Sequence, residues 1–225
     1  MGVNDSADTR SDDERTNLML TRRHFIISTT TLFSGAIAMP SLAQDAVGLG
    51  DDIAPDQGPL GGANNPWGLH PRFMPTRVEH NPGLTPGNIH VDPRARYLYH
   101  IGNDGTAMRY GVAVGRAGLY QPGNFRIQRV AEWPSWTPTA NMIAREPEIY
   151  AQYAEGVPGG PDNPLGARAL YLYTGGRDTY LRIHGTPQPW SIGTSASSGC
   201  VRLVNDHVIQ LAQQVNTGSR AILHS

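Results

Sequence analysis

Glycine and proline constrain this chain more than any other residues do. With 26 and 18 of them, they make up about a fifth of its 225 residues, against an average usage of about 12% for the pair. Both are poor in helix interiors, glycine through backbone entropy and proline through its missing N–H. A helix bundle is therefore excluded. Disorder throughout is excluded too, because Trp, Tyr, Phe and β-branched residues recur along most of the chain. What remains is a turn-rich fold, mainly β or β-rich α+β. The length suits one domain with tails. A formal net charge of −1 removes the electrostatic case for nucleic acid as a partner. Every basic side chain other than histidine is arginine, which excludes a lysine nucleophile or Schiff base. Cys200 is the single cysteine, so no internal disulfide can form.

The first 43 residues have the pattern of an export signal. A polar stretch is followed by Thr21-Arg22-Arg23-His24-Phe25, then by a mostly apolar or small run from Ile26 to Ala38. Ser41-Leu42-Ala43 supplies a small-x-small cleavage pattern. The paired arginines before Phe25 match the twin-arginine type of signal. The apolar run has 13 residues, too few for a membrane span of about 20, so no stable transmembrane anchor is expected. An uncleaved anchoring N-terminus is the plainer alternative. Cleavage after Ala43 would remove four arginines and five acids and leave 14 of each. Such an address implies work in the periplasm or cell envelope.

Residues 44–87 read as a loosely structured Gly/Pro-rich lead-in, with Trp67 and Phe73 pinned on the domain that follows. From residue 88 to 225 the chain reads as one compact domain. Ile89-His90-Val91, Arg96–Ile101, Ala107–Val114, Ala169–Tyr173, Tyr180–His184 and Ala221-Ile222-Leu223 have strand composition. Phe125–Val130 alternates apolar and polar residues, as a half-buried strand does. Residues 133–165 break this pattern with several prolines and a short helical stretch at 141–154. A connection that long in a compact domain points to a lid or a wall of a site. One further helix is expected from Val208, Ile209, Leu211, Ala212 and Val215, capped by Asn205 or Asp206 and ended by Gly218.

The chemistry converges on one segment. His184-Gly185-Thr186 ends a strand, and Ser197-Ser198-Gly199-Cys200-Val201-Arg202-Leu203 follows just before the helix. In the strand, Leu181 and Ile183 face one way while Tyr180, Arg182 and His184 face the other. A thiol attacks only as thiolate. A histidine in contact takes its proton and holds the ion pair, and a third group orients the imidazole. The dipole of the following helix would add to the anion's stabilisation. Glycine at 199 permits close backbone approach, so that the N–H groups of Gly199 and Cys200 could form an oxyanion hole. Arg202 suits a substrate carboxylate, although an internal salt bridge would explain it equally well. Taken alone, a lone cysteine is more often a small buried hydrophobe than a nucleophile. The other histidines lack zinc-site pairing, so no metal is expected. No glycine-rich phosphate loop precedes a helix, and no acid pair suits glycoside chemistry.

Those segments together resemble the catalytic signature of the L,D-transpeptidase (YkuD-type) family. The matching residues are His184-Gly185-Thr186, Ile192-Gly193, Ser197–Leu203 and Asn205-Asp206. Pro158-Gly159-Gly160 and Asn163–Leu172 resemble the segment leading into that signature. Ser198 stands where many members have histidine, which leaves His184 as the base. Gln121-Pro122-Gly123-Asn124-Phe125 departs from the family's usual T-P-x-G-x-F.

The resemblance implies a mainly β fold, a mixed sheet or β-sandwich with a helix after the cysteine. It implies Cys200 as nucleophile, His184 as proton acceptor and donor, and the Gly185 carbonyl as the group orienting the imidazole. Ser197, Ser198, Gly199 and Arg202 would line the site, with no cofactor. The implied reaction is thiol acyl transfer on peptidoglycan stem peptides. A tetrapeptide stem loses D-alanine, and a second stem, a D-amino acid or a lipoprotein lysine takes the acyl group. Two alternatives stand beside it. One is a cysteine hydrolase of the same fold; the other is a wall-binding module in which Cys200 is inert.

Overall fold

The computed structural model describes residues 65–225; the expected export signal at 1–43 and the lead-in up to residue 64 lie outside them. Six strands come first: β1 (Thr76–Glu79), β2 (Ile89–Asp92), β3 (Tyr97–Ile101), β4 (Thr106–Gly111), β5 (Val114–Gly115) and β6 (Gly123–Glu132). Two short helices follow, α1 (Ala140–Arg145) and α2 (Pro147–Tyr150). Then come β7 (Arg168–Thr174), β8 (Arg177–His184), β9 (Ser195–Ser197), β10 (Val201–Arg202), α3 (Asn205–Gln214) and β11 (Arg220–Leu223). A single mixed sheet takes nine strands in the order β1-β4-β3-β2-β11-β6-β7-β8-β10, while β5 and β9 pair separately. In the large sheet β11 runs parallel to β2 and β10 parallel to β8. The expected β-rich α+β class with a mixed sheet is what forms.

The apolar half of each alternating strand builds the core. Phe125 and Ile127 of β6, Leu170 and Leu172 of β7, and Leu181 and Ile183 of β8 are buried on one face of the sheet. Against that face α3 lays Val208 and Leu211, both fully buried. Burying a side chain of this size stabilises the fold by about 1.5–3 kcal/mol. The packing fixes the opposite faces of β8 and β10, where the chemistry-bearing side chains sit.

Several local expectations are corrected. The strand pattern runs on ahead of residue 88, because β1 pairs with β4 from Thr76↔Arg109 to Glu79↔Thr106. Ahead of it Trp67 packs edge-on to His207 at 5.0 Å, and Phe73 lies 5.9 Å from Tyr97. The helical stretch expected at 141–154 is two short helices and a 3-10 turn (Ala151–Tyr153), since Pro147 cannot donate to a continuous helical ladder.

The cap expected from Asn205 or Asp206 does not form. The helix is capped at Val204 without a side-chain bond, and Asn205 Oδ1 instead accepts the Ala167 N–H at 2.9 Å. That amide oxygen lies so close over Gly185 that a Cβ there would collide with it. Glycine at 185 is thus dictated by packing.

The strand ending at His184 also departs from plain alternation. Tyr173 faces Asp178 and Tyr171 faces Arg182, so four residues of β8 span two of β7. Within this bulge Tyr180 takes φ +61°, uncommon for a bulky residue.

Candidate active site

The parallel ladder between β8 and β10 positions the site. Val201 faces Ile183 and Arg202 faces His184. Val201 and Ile183 are both fully buried in the core, so the residues alternating with them lie on the opposite face. That common face carries Arg182, His184, Cys200 and Arg202. Cys200 precedes the Arg202–His184 pair by two residues, which puts the Cα atoms of Cys200 and His184 about 8 Å apart, given ~3.3 Å rise and ~4.8 Å strand spacing.

His184 is buried, and its Nδ1 meets the Gly185 carbonyl at 2.5 Å. The carbonyl can only accept, so Nδ1 carries the proton and Nε2 is left as the basic nitrogen. Burial, and after it the positive charge of Arg202, pull the imidazole down to about 3, although the Gly185 hydrogen bond favours the charged ring. At neutral pH the ring is a neutral base.

Cys200 is half-buried. Its Sγ–H points to the Tyr180 carbonyl at 3.8 Å, an oxygen presented by the β8 bulge. Burial pushes the thiol above its ordinary value; the Arg182 backbone N–H and the Arg182 and Arg202 guanidiniums pull it back, and Asp178 adds to the rise. The thiol is raised and the imidazole lowered, so both shifts oppose the expected thiolate–imidazolium pair. β10 lies between Cys200 and α3 along the chain, and dipole effects fade within the first turn; the positive side chains acting on the thiol are the two arginines.

Ser197 shapes the turn before the thiol. Its Oγ donates to the Cys200 carbonyl at 2.5 Å and accepts the Gly199 N–H at 3.1 Å. Gly199 has φ +127°, a conformation open to glycine. Since its N–H is already bonded to Ser197, the expected pairing of Gly199 with Cys200 as oxyanion donors is not what the turn presents. Ser198 Oγ meets Tyr150 Oη at 2.7 Å, which ties α2 to the site.

Arg202 reaches Gln188 Oε1 at 3.4 Å, and its Nε is buried with no partner. No acid pairs with it among the described residues, so the salt-bridge reading of Arg202 fails. Arg116 makes a two-pronged bond to Glu146 at 2.7 and 2.8 Å, and its backbone N–H donates to the Ser197 carbonyl at 2.9 Å.

The long segment after β6 thus forms a wall, as its length suggested, through Glu146 and Tyr150. Spacing gave no sign of Tyr150, Arg116, Glu146 or Asp178, nor of the bulge that turns the Tyr180 carbonyl to the thiol. Each comes into place through a bulge or a contact between distant segments. Among the described residues no His, Cys, Asp and Glu group has metal-holding geometry, and no helix is long and apolar enough to cross a membrane.

The family model and the curated relatives agree on one family. The family model for the YkuD L,D-transpeptidase catalytic domain matches residues 86–223. The probable L,D-transpeptidase ErfK/SrfK of Escherichia coli K12 is 38% identical over 131 residues, 56% of this chain and 39% of that protein. The chain therefore spans about two fifths of that relative's length. A candidate L,D-transpeptidase from the ATP synthase subunits region of Fuscovulum blasticum is 32% identical over 187 residues, 82% of this chain and 87% of that protein. A crystal structure from Brucella melitensis, described as a probable carnitine operon oxidoreductase, is 48% identical and covers 68% of this chain and 94% of its own at a TM-score of 0.48.

Proposed function

The chain belongs to the L,D-transpeptidase (YkuD-type) family, and we propose that it is an exported peptidoglycan L,D-transpeptidase using Cys200 as nucleophile and His184 as base and acid. The observation that carries this reading is the shared face of Cys200 and His184, with the imidazole held by the Gly185 carbonyl so that Nε2 is the basic nitrogen.

On this reading the two side chains act in turn in the first half-reaction. Nε2 of His184 takes the thiol proton as Cys200 sulfur attacks the carbonyl carbon of the third stem residue. The tetrahedral intermediate collapses, the amide C–N bond breaks, and His184 returns the proton to the departing D-alanine amine. A thioester on Cys200 results. In the second half an acceptor amine attacks the thioester, its proton goes to His184, and the sulfur leaves and recovers a proton. Acceptors of this chemistry are a second stem, a free D-amino acid or a lipoprotein lysine; water in their place would give a carboxypeptidase. No step calls for a cofactor.

Arg202, with its buried Nε lacking a partner, suits a stem carboxylate. Ser197, Ser198 and Gly199 hold the thiol's turn against the wall formed by Tyr150. Residues 1–43 would export the chain by the twin-arginine route, and the catalytic domain of residues 88–225 would also take in β1 ahead of it, which pairs with β4.

The test is product analysis by mass spectrometry with a tetrapeptide stem, with and without an amine acceptor in excess. Transfer predicts loss of D-alanine and a product heavier by the acceptor. Free carboxylate alone, with acceptor present, would replace the transferase reading with the hydrolase.

A further inference from the structure

Arg182 is more tightly held than any substrate-binding arginine needs to be. Its guanidinium bonds both oxygens of Asp178, at 2.6 and 2.8 Å. Nη1 also donates to the Leu181 carbonyl at 2.9 Å. The group lies 4.0 Å from the centre of the Tyr171 ring, and Arg129 of β6 sits 4.5 Å from that same ring. Arg182 is 9% exposed, so its charge is screened by water far less than that of a surface side chain. Each bond fixes the guanidinium, and none leaves it free to follow a ligand. A charge fixed in this way acts on whatever lies beside it.

The thiol belongs to the neighbouring residue on the same face of the sheet. The β8–β10 ladder pairs Val201 with Ile183, so the preceding residues, Cys200 and Arg182, are neighbours across the two strands and share a face. The bulge at Tyr180, just before Arg182, presents the carbonyl that accepts the Cys200 Sγ–H. The charged and titratable groups facing the sulfur are Asp178, Arg182 and His184 from β8 and Arg202 from β10. Arg129 acts on Asp178 from β6, and Tyr150 and Arg116 act on Arg202.

We propose that Arg182 is a positioning residue that holds a fixed positive charge against the Cys200 sulfur, with Asp178 setting how much of that charge the sulfur feels. This rests on the reading of Cys200 as nucleophile. In the reaction Arg182 favours the anion that attacks and the thiolate that leaves, and touches no substrate. The two members of the ion pair have opposite effects on the sulfur, since Arg182 favours the ionised form and Asp178 opposes it. A merely structural salt bridge would not show that opposition: breaking it from either side would disturb the site in the same sense.

The experiment is the pH profile of Cys200 alkylation by iodoacetamide on the full chain, followed by intact mass. Cys200 is the only cysteine, so every adduct reports on it. For Arg182→Gln the midpoint should rise by about one unit, the lower end for loss of a neighbouring charge, and alkylation at pH 7 should slow about tenfold. For Asp178→Asn the midpoint should fall, because the Tyr171 ring and the Leu181 carbonyl still hold the guanidinium in place. Arg182→Lys, which keeps the charge, should lie near the parent. Shifts of Arg182→Gln and Asp178→Asn in the same direction, or in neither, would overturn the proposal. Should Arg182→Gln fail to fold, the sign for Asp178→Asn decides alone: a fall supports the proposal, and a rise or no change overturns it. Alkylation needs no stem peptide, so the two readings fail separately. Normal stem turnover without opposed shifts removes the Arg182 role only; opposed shifts without stem turnover remove the transpeptidase reading only.

Discussion

His184 Nδ1 and the carbonyl oxygen of Gly185, the next residue in the chain, lie 2.5 Å apart. The contact is local, yet it settles the tautomer. A backbone oxygen fixes Nδ1 as the protonated nitrogen and Nε2 as the base, the task a carboxylate performs in many catalytic triads. A carbonyl carries no full negative charge, so it orients the ring without raising the base's affinity for a proton as an anion would. Burial and the Arg202 charge hold the ring far below the ordinary histidine value, against the modest raising effect of that bond.

Removing that base while leaving the nucleophile should cost about a thousandfold or more in turnover, because nucleophile and base act as one unit. The measurement is D-alanine release from a tetrapeptide stem by His184→Ala, with circular dichroism to verify folding. Turnover within tenfold of the parent would remove His184 from the chemistry.

The resting pair should be neutral, and thiol alkylation shows which state holds. Cys200 is raised above the ordinary thiol value and His184 is lowered to about 3. The sign follows directly: thiolate appears only as pH rises toward and past the raised thiol value, and imidazolium is absent above about pH 4. Iodoacetamide reactivity in the free enzyme should climb steadily from pH 6 to above pH 9. A reactive plateau below pH 7 would mean a standing thiolate–imidazolium pair, contrary to this arrangement.

Asn205 should matter to stability more than a residue at the start of a helix ordinarily does. Its Oδ1 accepts the N–H of Ala167, and Ala167 is fully buried. Asn205→Ala would leave that donor without a partner, at a cost of about 1–3 kcal/mol, readable as a lower urea midpoint. It would also free the backbone around Gly185, so turnover should fall along with stability. An unchanged urea midpoint would show that Asn205 does not hold these segments together.

How much of this was legible in the sequence depends on how local the determining interaction is. The strand Phe125–Val130 and the helix carrying Val208 and Leu211 could be read from spacing, because burial of one face imposes that spacing. His184 and Cys200 could be read from their neighbours, because glycine beside each one answers to a backbone constraint. The β1 strand was not legible: its four residues contain one apolar side chain, Val78, and its place follows from pairing with β4. Nor was the role of Asn205, whose position at a helix start suggests a cap until Ala167 arrives 38 residues away in sequence. The positive φ of Tyr180 gave no signal, since it follows from a bulge that propensity disfavours. The partners of Arg116 and Ser198, namely Glu146 and Tyr150, depend on the fold of a long proline-broken segment that no periodicity describes.

The central claim is that Cys200 carries the acyl group between donor and acceptor. The direct test is intact-protein and peptide mass spectrometry of the chain mixed briefly with a tetrapeptide stem and quenched in acid. The predicted result is an adduct of one tripeptide acyl group on the peptide containing Cys200, discharged by hydroxylamine, and missing from Cys200→Ala together with D-alanine release. D-alanine release by Cys200→Ala, or an acyl adduct on any other residue, would contradict it.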